Sequence, residues 1–224
     1  MAGQVRGSIA AHSEYVEDLS ANRPVTGSIW VAGVATLFGI ASALWVSWNN
    51  WFFLLTDAQE HLIVARQVFD SSLSGDLTLG TTWMPFPHLF LVPVSAAYSI
   101  WESGWSGAIV GVTALSVSAA ALWRIGNRLG ISTLPMIIGI AVFLLNTSQL
   151  YIFTTAVSEP ILIASVLASV AGLARWITAN RAVSAGEIAI FAGIPASIAL
   201  LTRYEGWVFV GFASLIIVIA SLKR

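Results

Sequence analysis

Cysteine and charge are what this sequence has least of. None of its 224 residues is cysteine, which excludes disulfide bonds and cysteine-ligated metal sites. Only 9% of the residues are charged, against about 25% in a typical soluble domain, so the chain cannot cover a water-facing surface with charge. The net charge of −1 offers no basic surface to a polyanion, and we therefore expect no nucleic-acid partner.

Apolar residues fill most of the chain instead. Hydrophobic residues make up 57% of the sequence, and the mean hydropathy is +0.84. Several of the ten tryptophans stand at the ends of apolar runs, where indole rings anchor helices at a membrane interface. This composition predicts an all-α protein, a polytopic bundle of membrane helices in contact with membrane lipids.

Gaps between charged residues define the expected spans, because a membrane-spanning helix needs about 20 mostly apolar residues. Residues 1–27 are polar and show no cleavable signal peptide, so we expect a cytoplasmic segment that precedes a transmembrane module of residues 28–224. Pro195 is expected to kink the fifth span. The six expected spans are residues 28–49, 103–123, 129–158, 160–174, 188–202 and 206–222.

One apolar run, residues 86–101, is ambiguous. It is short for a span and contains Pro87 and Pro93, so it can either cross the membrane or lie along its surface. If it lies along the surface, eight of the ten basic residues fall on one side, with Arg66 and Arg203 opposite. Basic residues favour the cytoplasmic side. This pattern predicts six spans in the plasma membrane, cytoplasmic termini, and an external loop of residues 51–104 that carries two surface helices.

The external loop holds the first group of candidate functional residues. A helix that starts near Asp57 places Asp57, Glu60 and His61 on one face, within about 100° of each other. The other face is an apolar stripe, as expected of a helix that lies at the membrane surface. The alternative is that these polar side chains are simply solvated.

Three further elements bring polar groups to the same side of the membrane. His88 begins the second surface helix, Glu159 precedes the fourth span, and the turn before the sixth span contains Arg203, Tyr204 and Glu205. Taken singly, an acid at a helix start interacts with the helix dipole, and an Arg–Glu pair is an ordinary surface ion pair. Taken together, these groups predict one external cavity with Arg203 at its edge, although each can also face water separately.

Four short motifs resemble a known family. They are TDAQEH at residues 56–61, WMPFPHL at 83–89, SEP at 158–160 and LTRYEGW at 201–207. In this order they resemble the N-terminal module of the GT-C membrane glycosyltransferases. The likeness is greatest to bacterial and archaeal relatives of the protein O-mannosyltransferases, in glycosyltransferase family 39. The resemblance extends from about residue 28 to the C-terminus.

The resemblance implies an inverting transfer of a sugar, with mannose suggested, from a polyprenyl-phosphate-sugar donor to an extracytoplasmic acceptor. Asp57 matches the general base of the family, and Glu159 matches an acid that positions donor or acceptor. Arg203 and Arg66 are expected to contact the donor phosphate. Some relatives use a divalent cation and the mannosyltransferase branch does not, so the metal requirement stays open. The remaining expected substrate-binding residues are Glu60, His61, His88, Tyr204 and Glu205.

Members of that family usually continue through further spans, whereas this sequence ends at residue 224. Either a second membrane chain completes the module, or the protein is a noncatalytic GT-C-like subunit or scaffold. A transporter is disfavoured because no charge lies in the interior of any expected span to mark an ion path.

Overall fold

The computed structural model of the protein describes residues 27–70, 83–179 and 183–222. Most of the expected N-terminal segment and residues 71–82 of the expected external loop lie outside these ranges. All regular structure in the described ranges is helical. The helices are α1 (Ser28–Trp48), α2 (Thr56–Asp70), α3 (Pro85–Ser95), α4 (Tyr98–Glu102), α5 (Trp105–Arg128), α6 (Thr133–Leu145), α7 (Thr147–Ile152), α8 (Glu159–Ile177), α9 (Ala185–Ile188), a π-helical turn (Ala189–Gly193), α10 (Ile194–Leu200) and α11 (Glu205–Leu222).

Four of the helices, α1, α5, α8 and α11, are long and apolar enough to cross a membrane. In the most apolar stretch of each, 44% of the residues are buried in α5 and 39% in α8, against 22% in α1 and 11% in α11. The bundle is therefore centred on α5 and α8, with α1 packed against α5. Large apolar side chains on α1 and α11 remain exposed, as expected of helices that face lipid.

The expected third span, residues 129–158, is not one continuous helix. Helix α6 has 13 residues and is about 20 Å long, and it ends where Asn146 takes an extended conformation. The Asn146 side chain accepts a hydrogen bond from the Gln149 backbone N–H at 3.0 Å and so caps α7. An asparagine that bonds its neighbouring backbone in this way competes with continuation of a helix, which is why the apolar run breaks here.

The expected fifth span also differs in detail, because a π-helical turn separates α9 from α10. Pro195 lies in the first turn of α10, where proline is tolerated, and the irregularity falls just before it. Ser169 donates a hydrogen bond to the Ala192 carbonyl at 2.9 Å. Gly172 of α8 lets the Phe191 carbonyl approach so closely that a Cβ at position 172 would overlap it. The expected kink therefore takes the form of a π turn held against α8.

The ambiguous run 86–101 forms two helices, α3 and α4, that pack on and beside α2. Arg66 of α2 donates hydrogen bonds to the Ser95 and Ala96 carbonyls at 2.9 and 3.0 Å, and these are carbonyls left open at the end of α3. Trp101 donates to the Leu62 carbonyl at 2.9 Å. Side-chain bonds therefore join these short helices to α2.

Glycines on α5 position the turn that precedes α8. A Cβ at Gly107 would overlap the backbone of Ala156, and one at Gly111 would overlap the Phe153 carbonyl. The two glycines are four residues apart and share one face of α5, the small-residue spacing that lets backbones meet inside membranes. Their close approach sets the position from which Glu159 begins α8.

Candidate functional site

The candidate site lies where four helix ends meet. Helices α2, α3, α8 and α11 begin near the Trp105 end of α5, about 35 Å from its Arg128 end given the helical rise. The Phe86 backbone N–H donates to the Leu201 carbonyl at 3.2 Å, which joins the start of α3 to the turn before α11. Buried Ala58 and Leu62 of α2 pack in one cluster with Val157, which joins α2 to the turn before α8.

Arg203 forms hydrogen bonds to two predicted site residues, Glu159 and Glu205, and to Ser158, which precedes Glu159 in the sequence. Its guanidinium donates to Glu159 Oε1 at 2.7 Å, to Ser158 Oγ at 3.0 Å and to Glu205 Oε1 at 3.1 Å. Charge-assisted bonds of this kind are stronger than neutral ones and fix the guanidinium plane. Arg203 is 28% exposed, so one edge of this cationic group faces the surface between the helix ends.

Asp57 lies in the field of the same arginine. Burial raises the pKa of the Asp57 carboxyl above its ordinary value of 3.8, and the positive charge of Arg203 offsets part of that rise. The carboxyl is 32% exposed, so a ligand at the surface can reach it. Asp57 and Glu159 come from different helices and share the influence of one arginine, which makes them parts of one electrostatic site.

A pair of buried histidines lies behind Asp57. His61 Nε2 is 3.5 Å from Asp57 Oδ2, and His61 Nδ1 is 2.9 Å from His88 Nε2. Their side chains are 1% and 0% exposed. Burial lowers the pKa of His61 to about 4, with help from Arg203. Burial also lowers the pKa of His88 to about 4, with help from His61 and against a smaller opposite effect of the Met84 backbone.

Two neutral imidazoles can share only one proton between the facing nitrogens, so one ring donates and the other accepts. If His61 carries its own proton on Nε2, it points an N–H toward Asp57 and accepts from His88. The three side chains then lie in a row from the surface into the protein. A hydrogen bond joins the two imidazoles, whereas His61 Nε2 has no hydrogen-bond partner among the described residues and faces Asp57 at 3.5 Å. An N–H aimed at Asp57 can stabilise its charge while both imidazoles stay neutral near neutral pH.

The two carboxylate oxygens of Glu159 differ in their hydrogen bonding. While Oε1 accepts from Arg203, Oε2 is buried and has no hydrogen-bond partner among the described residues. A buried acceptor without a partner is costly, and a hydroxyl donor on a bound ligand would relieve that cost. The geometry therefore fits Glu159 to hold a hydroxyl group in place.

The structure does not bring every predicted site residue into this cluster. Glu60 is exposed, whereas His61 lies on the buried face of α2 with Ala58 and Leu62. Tyr204 is 69% exposed and contacts the ring of Trp207. Arg66 is nine residues beyond Asp57, about 13 Å along the helix, where it pairs with Asp70. The grouping of Asp57, Glu60 and His61 on one face is thus corrected for Glu60.

Two contributors were not predicted from the sequence as site residues. Ser158 is buried and accepts a hydrogen bond from Arg203, and Trp83 lies against His61 with ring centroids 4.8 Å apart and ring planes tilted by 50°. Both lie inside the motifs that carry the family resemblance, at residues 83–89 and 158–160. Position within a motif was the signal that could have identified them. Among the described residues, no group of three or more histidine and acidic side chains is arranged to hold a metal ion.

An apolar cavity of about 420 Å³ opens beside the cluster. Phe90 and Ile161 line it, two residues beyond His88 and Glu159, and it continues between α5, α8 and α10. Neither Asp57 nor Glu159 lines this cavity or the three others of about 270, 490 and 650 Å³ among the described residues, so the expected shared cavity is not one of these. The two acids are linked instead through the charge of Arg203, which contacts Glu159 directly and interacts with Asp57 electrostatically.

The buried histidines predict a pH dependence of stability. An unfolded histidine binds a proton near pH 6.5, whereas His61 and His88 resist protonation down to about pH 4 in the folded protein. Between these values the unfolded state binds more protons, so stability is full above pH 6.5 and falls as the pH drops to 4. The raised pKa of Asp57 acts in the opposite direction at the acid end of this window.

Thermal unfolding in detergent between pH 7 and pH 4 measures this effect. The Tm of the wild-type protein should fall across the window, and the fall should be smaller in the double variant His61→Gln/His88→Gln. An exposed carboxylate outside the site, in the variant Glu102→Gln, provides the matched control and should leave the slope unchanged. Equal slopes in the wild type and the double variant would remove the histidine pair from this account.

Comparison with known proteins identified no relative of this chain. No protein-family model, no curated protein and no solved structure matches the chain. Any assignment of function must therefore follow from the chemistry of the Asp57–Arg203–Glu159 cluster and from its position at one end of an apolar helical bundle.

Proposed function

We propose that this protein is a membrane glycosyltransferase of the GT-C type. It transfers a sugar from a polyprenyl-phosphate donor, with mannose the suggested sugar, to a hydroxyl group of an acceptor outside the cytoplasm. The observation that carries the proposal is the convergence of Asp57 and Glu159 on Arg203. A base, a group that can hold a hydroxyl and a cation for phosphate then lie beside an apolar cavity.

The roles follow from the charges. The Asp57 carboxylate removes the proton from the acceptor hydroxyl as its oxygen attacks the anomeric carbon. The bond between that carbon and the phosphate oxygen breaks, and polyprenyl phosphate leaves with the electron pair. Arg203 stabilises the negative charge that develops on the leaving phosphate. Attack opposite to the leaving group inverts the configuration at the anomeric carbon.

Asp57 and Glu159 are suited to different parts of this reaction. The raised pKa of Asp57 makes it a stronger base, and a base is most effective when its pKa approaches the working pH. Glu159 is held by Arg203 and offers its second oxygen to a hydroxyl of sugar or acceptor. The neutral His61–His88 pair positions Asp57 from behind.

The apolar cavity supplies a place for the lipid part of the donor. Alanines, valines and isoleucines of α5, α8 and α10 line it, and the first isoprene units can lie there while the phosphate stays at Arg203. Burial of apolar surface contributes about 25 cal/mol per Å², so even a short length of polyprenyl chain adds to donor affinity. Exposed side chains of α3, such as Phe90, form the open edge through which the tail enters from lipid.

The proposed topology has six crossings. Besides the four long helices, α6 with α7 forms the third crossing, and α9, the π turn and α10 form the fifth. The termini and the Arg128 end then lie in the cytoplasm, and the Arg203 cluster lies outside. The bias of basic residues supports this orientation.

Cysteine labelling tests this orientation without background, because the sequence contains no cysteine. In intact cells, an impermeant maleimide should label Glu102→Cys but should reach Leu129→Cys only after the membrane is opened. Both positions are exposed. Labelling of both cysteines from outside would overturn the six-span topology.

A transfer assay tests the function itself. Purified protein in liposomes, together with any membrane chain that co-purifies with it, receives polyprenyl-phosphate-mannose and a hydroxyl acceptor. We expect a mannosylated product with inverted configuration. Absence of product from both mannose and glucose donors would contradict the enzymatic proposal.

The second candidate is a noncatalytic GT-C-like subunit, and one observation favours it. Arg203 already has three oxygen partners, Ser158, Glu159 and Glu205, which is also the arrangement of a purely structural clamp. In that case the protein would show no transfer, and replacement of Asp57 would have no effect on the activity of any complex that contains it.

A further inference from the structure

A second polar site lies at the opposite end of the bundle. Arg124 and Arg128 are one turn apart on α5, and Arg175 stands in the last turn of α8. All three line one cavity of about 490 Å³. None of the described residues that line this cavity is acidic. Its floor consists of small and apolar side chains, among them Ala120, Ala121 and Phe191.

The three cations are close enough to repel one another, since Arg128 experiences the charge of both Arg124 and Arg175. Arg175 is partly compensated by Glu187 at 3.1 Å and by the Phe191 ring, whose centroid is 4.6 Å away. Like charges one turn apart on a helix destabilise it. A bound anion that reaches all three guanidinium groups would reverse that effect, because arginine binds phosphate in a bidentate manner.

The arginine cavity adjoins the apolar cavity of about 420 Å³, since Val117, Ala168 and Pro195 line both. The two adjoining cavities, called the groove below, lie along α5 and α8, with arginines at one end and apolar side chains beyond. Inorganic phosphate would use only the arginines. A molecule with a charged phosphate head and an apolar chain matches both parts of the groove.

We propose that this groove binds an anionic phospholipid from the leaflet at the Arg128 end. The headgroup phosphate contacts Arg124, Arg128 and Arg175, and one acyl chain lies over Ala120 and Ala121. Basic pockets between membrane helices on the cytoplasmic side are suited to such headgroups. The inference does not rest on sugar transfer, since the residues assigned to the phospholipid, Arg124, Arg128, Arg175, Ala120 and Ala121, line only the arginine cavity and not the cavity proposed for the donor tail.

Native mass spectrometry of protein released from nanodiscs tests the site. In discs of phosphatidylcholine with added phosphatidylglycerol, the wild type should retain phosphatidylglycerol selectively. The variant Arg124→Gln/Arg128→Gln should retain about 30-fold less, since it loses two basic contacts that contribute about 1 kcal/mol each near an anionic surface. Glu102→Gln, which changes an exposed charged residue near the opposite end, should retain the wild-type amount.

Two further variants keep the result interpretable if the double variant folds poorly. Arg124→Gln/Arg128→Lys keeps the charge at position 128 and should therefore retain several-fold more phosphatidylglycerol than Arg124→Gln/Arg128→Gln, given about 1 kcal/mol for each basic contact. Ala120→Phe fills the groove and leaves every arginine in place, so it should also lower retention. Full retention in Ala120→Phe, or equal stabilisation of the wild type by inorganic phosphate in phosphatidylcholine discs, would show an anion site with no lipid specificity and overturn the proposal.

Discussion

Replacing Asp57 with asparagine should lower sugar transfer by about 10²- to 10⁴-fold, which is the typical contribution of a general base. The amide keeps the shape of the side chain but cannot accept the acceptor proton. Because Asp57 is partly exposed and lies 3.5 Å from His61 without a hydrogen bond between them, the protein should still fold and insert. Transfer from polyprenyl-phosphate-mannose in liposomes measures the loss.

The matched control is Glu102→Gln, which makes the same change of acid to amide at an exposed position outside the site. It should transfer sugar at the wild-type rate. If Asp57→Asn retained near-normal turnover while thermal unfolding showed an intact fold, Asp57 would have no part in proton transfer. The base would then have to be sought at Glu159.

Replacing Arg203 with glutamine should damage both stability and transfer. It removes the partner of Glu159 at 2.7 Å and of Glu205 at 3.1 Å, and it leaves Glu159 with a buried oxygen that already has no hydrogen-bond partner in the described chain. We expect a loss of about 1–3 kcal/mol of stability. The lower part of that range applies because the Arg203 and Glu159 side chains are 28% and 37% exposed.

A double-mutant cycle separates the two effects. The double variant Arg203→Gln/Glu159→Gln removes both charges of the pair and leaves no unpaired carboxylate at position 159. It should therefore be more stable than Arg203→Gln alone. Transfer should stay low in both, by about 10²- to 10³-fold, because no cation then stabilises the leaving phosphate. Arg203→Lys keeps a charge and loses the planar fork, so intermediate values are expected. Simple additivity of the two substitutions would show that Arg203 and Glu159 do not act as a pair.

The long helices could be predicted from charge spacing alone. Helices α1, α5, α8 and α11 lie mainly within the uncharged stretches 24–56, 103–123, 160–174 and 206–222, and the length needed is set by membrane thickness. The breaks at Asn146 and at the π turn before Pro195 could not be predicted in the same way. A hydropathy pattern contains no information on whether the Asn146 side chain caps a new helix. It also does not show that the Phe191 carbonyl approaches α8 at Gly172.

The candidate site could likewise be predicted only in part from the sequence. Charge bias predicted that Asp57, Glu159 and Arg203 share one end of the bundle, because charged side chains in a membrane protein collect at helix ends. The pairing of His61 with His88 depends on how α2 packs on α3, and no spacing within one helix encodes it. Glu60 and His61 are adjacent in sequence, and only packing decides which of them is buried.

The lipid that co-purifies with the protein provides the most direct test of the central claim, that Asp57, Glu159 and Arg203 form one site for a polyprenyl-phosphate sugar. Mass spectrometry of lipid extracted from the purified Asp57→Asn variant should detect a polyprenyl-phosphate hexose, held because transfer is blocked. The same extraction from Arg203→Gln should yield little of it. Absence of this lipid from Asp57→Asn and wild type alike, or equal amounts in Arg203→Gln, would contradict the claim.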